Sequence, residues 1–153
     1  MIKIDVFVRD KNWKRYISNP EKYLNKKVKL INLGIKYIKA KKINFSILLT
    51  GNKEIKLLNN KFRKKNKVTD VLSFPSHAAK ETKIRLNSEK NVYLGDIALN
   101  LYKIDKVKKN FKIEFNKLWI HGFLHLLGYK HYKNKDFYNM KKLEDKILKQ
   151  IRC

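Results

Sequence analysis

Between Ile2 and Val8, isoleucines and valines alternate with Lys3, Asp5 and Phe7, the period-two pattern of a half-buried strand. Pro20 and Glu21 then open a stretch in which Tyr23, Leu24, Val28, Ile31, Leu33, Ile35 and Ile38 recur at roughly helical spacing, which predicts a first amphipathic helix. The run INFSILLT from Ile43 to Thr50 has the length of a strand and stops at Gly51 and Asn52. From Lys53 to Phe62 the helical period returns through Ile55, Leu58 and Phe62. VTDVLSF, from Val68 to Phe74 and ended by Pro75, predicts a third strand. Ser76 to Lys90 is polar and charged without a period and reads as a mobile surface loop. VYLGDIAL, from Val92 to Leu99, reads as a fourth strand, and Gly95 inside it signals a bulge or a close approach of something to the backbone. The remainder is helical by pattern: about Tyr102 to Lys109, a longer helix about Ile113 to Leu127, and a last one about Asp136 to Ile151.

Strands and helices alternate in the first half and helices close the second, which points to the α+β class, an about four-stranded mixed sheet covered by helices. A chain of 153 residues fits one ordinary domain, and no repeat or linker divides it, so residues 1–153 are expected to form a single catalytic unit. The 43% hydrophobic content excludes a disordered chain.

Charge changes the picture more. Lys and Arg total 38 against 13 Asp and Glu, a formal charge of +25. Such an excess suits a polyanionic partner, nucleic acid or an acidic membrane surface. Only five of the basic residues are arginines, however, and lysine richness of this kind also arises from compositional bias, so charge alone does not decide. The one cysteine, Cys153, is the last residue and allows no intrachain disulfide, which fits a reducing compartment. No run of about 18 apolar residues occurs, and MIKIDVFVRD carries charges where a signal peptide would be apolar. The expectation is a cytoplasmic protein, neither exported nor membrane-spanning.

The chemistry concentrates in one segment. His121 and His125 stand four apart in a helical pattern, so both rings leave one face a turn apart, as a shared metal requires. Gly128 follows three residues later, where a helix can end through a left-handed residue. His131 can then return to the same metal, giving three nitrogen ligands and a fourth position for water. A closed structural zinc site would want a fourth protein ligand, and Cys153 is poorly placed to be one, so an open catalytic site is favoured. The spacing is also that of the metzincin proteases, whose motif places a Glu general base directly after the first histidine. Here that residue is Gly122, which demotes peptide hydrolysis unless Glu114, Asp96 or Asp70 approaches from elsewhere in the fold.

His121-Gly122-Phe123-Leu124-His125-Leu126-Leu127-Gly128-Tyr129-Lys130-His131 resembles the motif His-Gly-x-Leu-His-Leu-x-Gly-Tyr-Asp-His of the YbeY family, the single-domain endoribonucleases of ribosomal RNA maturation. Leu58-Asn59, Phe62-Arg63-Lys64-Lys65-Asn66, Thr69 through Pro75 (TDVLSFP) and Leu94-Gly95-Asp96-Ile97 are similar to that family's other blocks, in the same order. The resemblance implies a zincin-like metal-binding helix and a site made by His121, His125 and His131, holding one zinc ion per chain or another divalent transition metal. It further implies a functionally important arginine at Arg63, single-stranded RNA as substrate, and work on the 3′ end of small-subunit ribosomal RNA and in quality control on ribosomal particles. Lys130 departs from the family's Asp before the last histidine, so any hydrogen bond that Asp supplies must come from elsewhere.

Phosphodiester cleavage has a better leaving group than amide cleavage, so a metal-activated water and a cation to steady the developing charge can suffice without Glu. Arg63 is the candidate cation, and the charge of +25 now also reads as attraction to RNA. Asp70, Ser73 and Asp96 read as turn and sheet-edge residues, His77 as an exposed loop histidine, and Tyr93, Phe123 and Tyr129 as packing residues rather than base-stacking ones. Two further functions stay open. One is a ribosome assembly factor whose metal orders the fold, and the other is a metzincin-like metalloprotease.

Overall fold

The alternation at the N-terminus does form a strand. In a computed structural model that describes residues 1–32, 40–104, 111–130 and 134–152, β1 (Ile2–Val8) pairs in parallel with β2 (Lys42–Thr50). Between them lies α1 (Pro20–Val28), capped at its start by the Asn19 side chain, which accepts from Lys22 N, and by Pro20 at the first helical position. β2 leads into α2 (Asn52–Arg63) and then β3 (Val71–Pro75). α3 (Ala79–Ser88) precedes β4 (Asn91–Asn100), and α4 (Phe111–Leu126) and α5 (Asn134–Ile151) complete the chain. The sheet order is β1-β2-β4-β3, with β2 and β4 parallel and β3 antiparallel on the edge beside β4. An edge position tolerates Pro75, whose missing N–H would break a central ladder.

Parity along the strands shows which face each helix covers. Ile43, Phe45, Ile47 and Leu49 of β2 join Leu24 of α1, Phe115, Trp119 and Phe123 of α4 and Ile147 of α5 in the main core. Leu48, Leu72 and Ala98 point the other way and pack under Ile55 and Leu58 of α2. In β4 the main-core residues are Val92 and Leu94 but then Ile97 and Leu99, so the alternation slips by one. The slip is a bulge: Asn44 and Ser46 of β2 face Tyr93 and Asp96, one residue more than the partner strand spends. Gly95 sits in that extra step at φ +132°, and a Cβ there would lie 2.2 Å from the Phe74 carbonyl oxygen. Both readings of Gly95, bulge and close approach, hold.

One expectation is overturned, and two helices are shorter than expected within the described residues. Residues 76–90 are not a loop, because α3 occupies most of them. It buries only Thr82 and Leu86 and leaves Ile84 outward, so it shows no hydrophobic period; Arg85 instead braces it by 2.8 Å contacts to Glu81 and Glu89. α1 stops at Val28, and the continuation expected through Leu33, Ile35 and Ile38 falls on residues 33–39, outside the described residues. The helix expected at Tyr102 to Lys109 is, where described, a short 3-10 turn at Leu101–Lys103, and residues 105–110 lie outside the description. A second 3-10 turn, Lys11–Arg15, has no sequence period because Trp13 is its only buried residue.

Candidate active site

From Trp119 onward α4 is packed nearly all round: Trp119, Ile120, Gly122, Phe123, Leu124 and Leu126 are buried. His121 and His125 are the half-exposed gap in that surface, four residues apart. Their Nε2 atoms lie 3.0 Å apart and the rings meet edge-on, with centroids 4.5 Å apart at 83°. His131, the third ligand expected from the sequence, lies outside the described residues. Among the described residues no group of three or more His, Cys, Asp or Glu side chains forms a metal-holding set.

The opposite nitrogen of each ring is tied to an acceptor. His121 Nδ1 is 2.6 Å from Glu144 Oε1 on α5, and His125 Nδ1 is 2.8 Å from the Tyr129 carbonyl oxygen. A carboxylate and a carbonyl can only accept, so each Nδ1 carries the proton and a neutral ring turns its Nε2 lone pair inward. Two such lone pairs 3.0 Å apart repel, and either a shared metal ion or a proton kept on one Nε2 and donated to the other relieves this. Two nitrogens bound tetrahedrally at about 2.0–2.1 Å to one metal would be about 3.3–3.4 Å apart, so a small outward rotation of either ring accommodates a zinc-sized ion. The donor chemistry fits a divalent transition metal that His121 and His125 could hold through Nε2, with Glu144 behind His121 where a carboxylate can orient a ligating histidine.

The sequence pattern around the histidines does not point to Glu144. It stands 23 residues beyond His121, and only the docking of α5 on α4 brings it there. One signal was present: on α5 the buried stripe runs Met140, Ile147, Ile151 with Leu143 beside it, and Glu144 is a carboxylate set into that stripe.

The turn after α4 serves the same end. Tyr129 N donates to Leu124 O and Gly128 N to His125 O, the paired bonds of a Schellman cap, with Gly128 at φ +102°. A Cβ on Gly128 would lie 2.6 Å from Ala79 Cβ at the start of α3. That turn aims the Tyr129 carbonyl back at His125.

Arg63 ends α2, and Lys64 follows in the left-handed region at φ 55°, turning the chain away at once. Arg63 Nη2 donates to Ser73 O at 2.5 Å, and its guanidinium lies 5.8 Å from the centre of the Phe74 ring. Ser73 Oγ in turn donates to Gly122 O at 3.4 Å, one residue from His121. Arg63 and the histidine pair are therefore joined through Ser73, and Arg63 makes no hydrogen bond or ion pair to either histidine. It also has no carboxylate partner among the described residues. Ser73, read from sequence as a turn or sheet-edge residue, is the link between α2 and α4.

The remaining candidates take structural positions. Gly122 faces the sheet, where a Cβ would meet Ile97 Cγ2 at 2.8 Å. A Glu at 122 would be driven against β4. Of the carboxylates that might have replaced that base, Asp70 caps Val71 N at 2.7 Å, Glu114 pairs with Lys117 at 3.4 Å, and Asp96 accepts from the Tyr93 hydroxyl. Burial, with Asp96 beside it, pushes the Tyr93 phenol up to about 12. His77 lies 3.8 Å from Glu81 at the head of α3, Phe123 stacks on Phe45 at 5.0 Å, and Tyr129 packs on the main core.

Comparison with known proteins bears on all of these positions at once. The family model described as Endoribonuclease YbeY matches residues 7–152, spanning α2, β3, β4, α4 and α5 together. The chain belongs to that family. A Pelagibacter ubique protein named Endoribonuclease YbeY is 45% identical to it, covering 99% of this chain and 97% of the relative. An Ehrlichia canis protein of the same name is 34% identical over 99% of this chain and 93% of the relative. A similar fold is seen in a Thermotoga maritima protein solved in solution, 26% identical, with a TM-score of 0.56 over 99% of this chain and 89% of that one. Among the described residues no helix is long and apolar enough to cross a membrane.

Proposed function

We propose that this chain is a zinc-dependent endoribonuclease that cuts single-stranded RNA, with the 3′ end of small-subunit ribosomal RNA as its target and ribosomal particles as its partner. Family membership supports the RNA-cleaving activity. The observation that carries the metal is the facing pair of Nε2 atoms on His121 and His125, each ring fixed from behind by Glu144 or by the Tyr129 carbonyl. His131 is the expected third donor.

A zinc ion held there supplies Lewis acidity and positive charge where a phosphodiester develops negative charge. The chain's own groups do the rest. Glu144 and Tyr129 O hold the two imidazoles in the tautomer that turns Nε2 inward. Arg63 spends one donor on Ser73 O and keeps the others of its fork for phosphate oxygens, near the histidine helix yet not bonded to it. Ser73, bonded to both Arg63 and Gly122, keeps those two parts in register. Gly122 supplies no base, which suits the better leaving group of a phosphodiester and disfavours peptide hydrolysis.

The test is cleavage of a labelled single-stranded RNA. Wild type should cut it, His121→Ala should not, and Arg63→Ala should lose about 10²–10³ in kcat, the usual effect of removing one charge-stabilising donor. Equal cleavage by wild type and His121→Ala, with matching circular dichroism, would assign the activity to something other than this site. Gly122 in place of a base also motivates a second reading, a ribosome assembly factor whose metal mainly orders the fold. Under that reading wild type binds ribosomal particles and cuts nothing.

A further inference from the structure

At the far end of α4 from the histidines, Lys14, Arg15, Lys22, Lys26 and Lys112 line a groove of about 440 Å³ that also presents Tyr16 and Tyr23. It continues, through the shared Tyr23 and Lys112, into a second groove of about 320 Å³ bordered by Lys27, Lys117 and Arg152. Among the described residues no Asp or Glu lines either part. Three other surface grooves each carry at least one carboxylate, Asp145 in one, Asp10 and Glu54 in another, Asp5 in the third. A lysine-rich composition alone would spread charge over all five alike, so the distinction is local.

Among the described residues most of these cations have no counter-charge of their own. Of the eight, only Lys117 is in an ion pair among the described residues, with Glu114 at 3.4 Å. Lys27 and Lys112 instead lie over the Tyr23 ring, 5.6 and 5.7 Å from its centre. Lys22 and Lys26 are one turn apart on α1, a like-charge pair that costs helix stability unless an anion sits against it. The groove also lies at the N-terminal, positive end of α4. Tyr16 is stacked on Phe111 at 4.7 Å, and the residue stays 37% exposed, an aromatic side chain held at the groove's edge. Backbone-tracking cations beside an exposed ring are what an RNA strand needs for phosphate contact and base stacking.

We propose that this groove is a second RNA-binding surface, separate from the histidine site, which grips the phosphate backbone of a long or folded RNA. It rests on RNA as the ligand class argued above. Lys112 is nine residues before His121 on α4, about 14 Å along the axis and, at 3.6 residues per turn, on roughly the opposite side of the helix. A short strand in the histidine site cannot fill it. Its contribution falls on affinity for large RNA and not on the chemical step.

The experiment compares Arg15→Gln/Lys22→Gln/Lys26→Gln with Lys142→Gln/Lys146→Gln/Lys149→Gln, which removes the same charge from the groove that holds Asp145. Affinity for a folded ribosomal RNA fragment is read against salt, and cleavage is read on a single-stranded oligomer of about four nucleotides. The groove variant should lose at least about tenfold in affinity for the folded RNA, and its log-log salt slope should shrink by about 2–3, at about 0.7–0.9 per phosphate contact. Cleavage of the short oligomer should keep wild-type kcat and KM, and the α5 variant should bind nearly as wild type does. Equal losses in the two variants would mean diffuse attraction and overturn the proposal. So would unchanged RNA binding with lost binding to phosphatidylglycerol vesicles, which would make the groove a membrane contact. Groove-dependent RNA binding by a wild type that cuts nothing would support this surface while removing the proposed activity.

Discussion

Gly122→Ala tests whether position 122 is a packing position rather than a vacant catalytic one. The new Cβ would lie 2.8, 3.1 and 3.2 Å from Ile97 Cγ2, Cδ1 and Cγ1. Ile97 is fully buried on β4, and a β-branched side chain has one stiff χ1, so Cγ2 cannot swing aside without the strand. α4 must move off the sheet instead, an overpacking cost of about 1–3 kcal/mol. Against this stands the gain of about 1 kcal/mol from replacing glycine by alanine inside a helix. The net expectation is a loss of about 1 kcal/mol, seen in urea unfolding as a midpoint lowered by roughly 0.5 M at unchanged slope. An Ile97→Ala background removes the obstacle and costs about 2–5 kcal/mol by itself. In that background Gly122→Ala should stabilise by about 1 kcal/mol, a sign reversal that only direct contact produces. A gain of that size in the wild-type background would show that the helix does not sit tightly on Ile97, and the packing explanation for Gly122 would fall.

Glu144→Gln keeps the shape but removes the charge facing His121 Nδ1; zinc affinity, measured by competition with a chromophoric chelator, should fall about 10–100-fold, and an unchanged affinity in a folded variant would deny Glu144 its orienting role. Gly128→Ala meets Ala79 Cβ at 2.6 Å from a backbone at φ +102°, so a loss of about 1–3 kcal/mol is expected on thermal unfolding, and a neutral result would mean that the α4 cap is not held against α3. Tyr93 has a folded-state pKa raised from 10.0 to about 12, so the stability it contributes is complete below pH 10 and fades as pH rises toward 12. Tyr93→Phe should therefore lose less stability than wild type across that interval, and identical pH profiles would count against both the desolvation of the phenol and its contact with Asp96.

The strands were legible because each alternates or runs apolar between clear stops, and β1 occupies the residues that its pattern marks, Ile2–Val8. Gly95 announced the β4 bulge, since no other residue takes φ +132° against a neighbouring carbonyl so easily. α3 was hidden because two buried residues, Thr82 and Leu86, make no visible stripe. In the site, the spacing of His121 and His125 on one helix was local information and could be read directly. Glu144 and Ser73 could not, because their roles depend on how α5 and β3 dock against α4, contacts 23 and 49 residues apart in the chain. Arg63 was marked only by family resemblance; by position it is one more cation at a basic helix end.

The proposed function requires His121, His125 and His131 together to hold one cation. Metal content by mass spectrometry on the purified wild type, beside the three single His→Ala variants, addresses it most directly. About one zinc or other divalent transition metal per wild-type chain is expected, with each variant falling well below that while remaining folded. A metal-free wild type that still cuts RNA, or a His125→Ala variant that retains its full metal content, would contradict it.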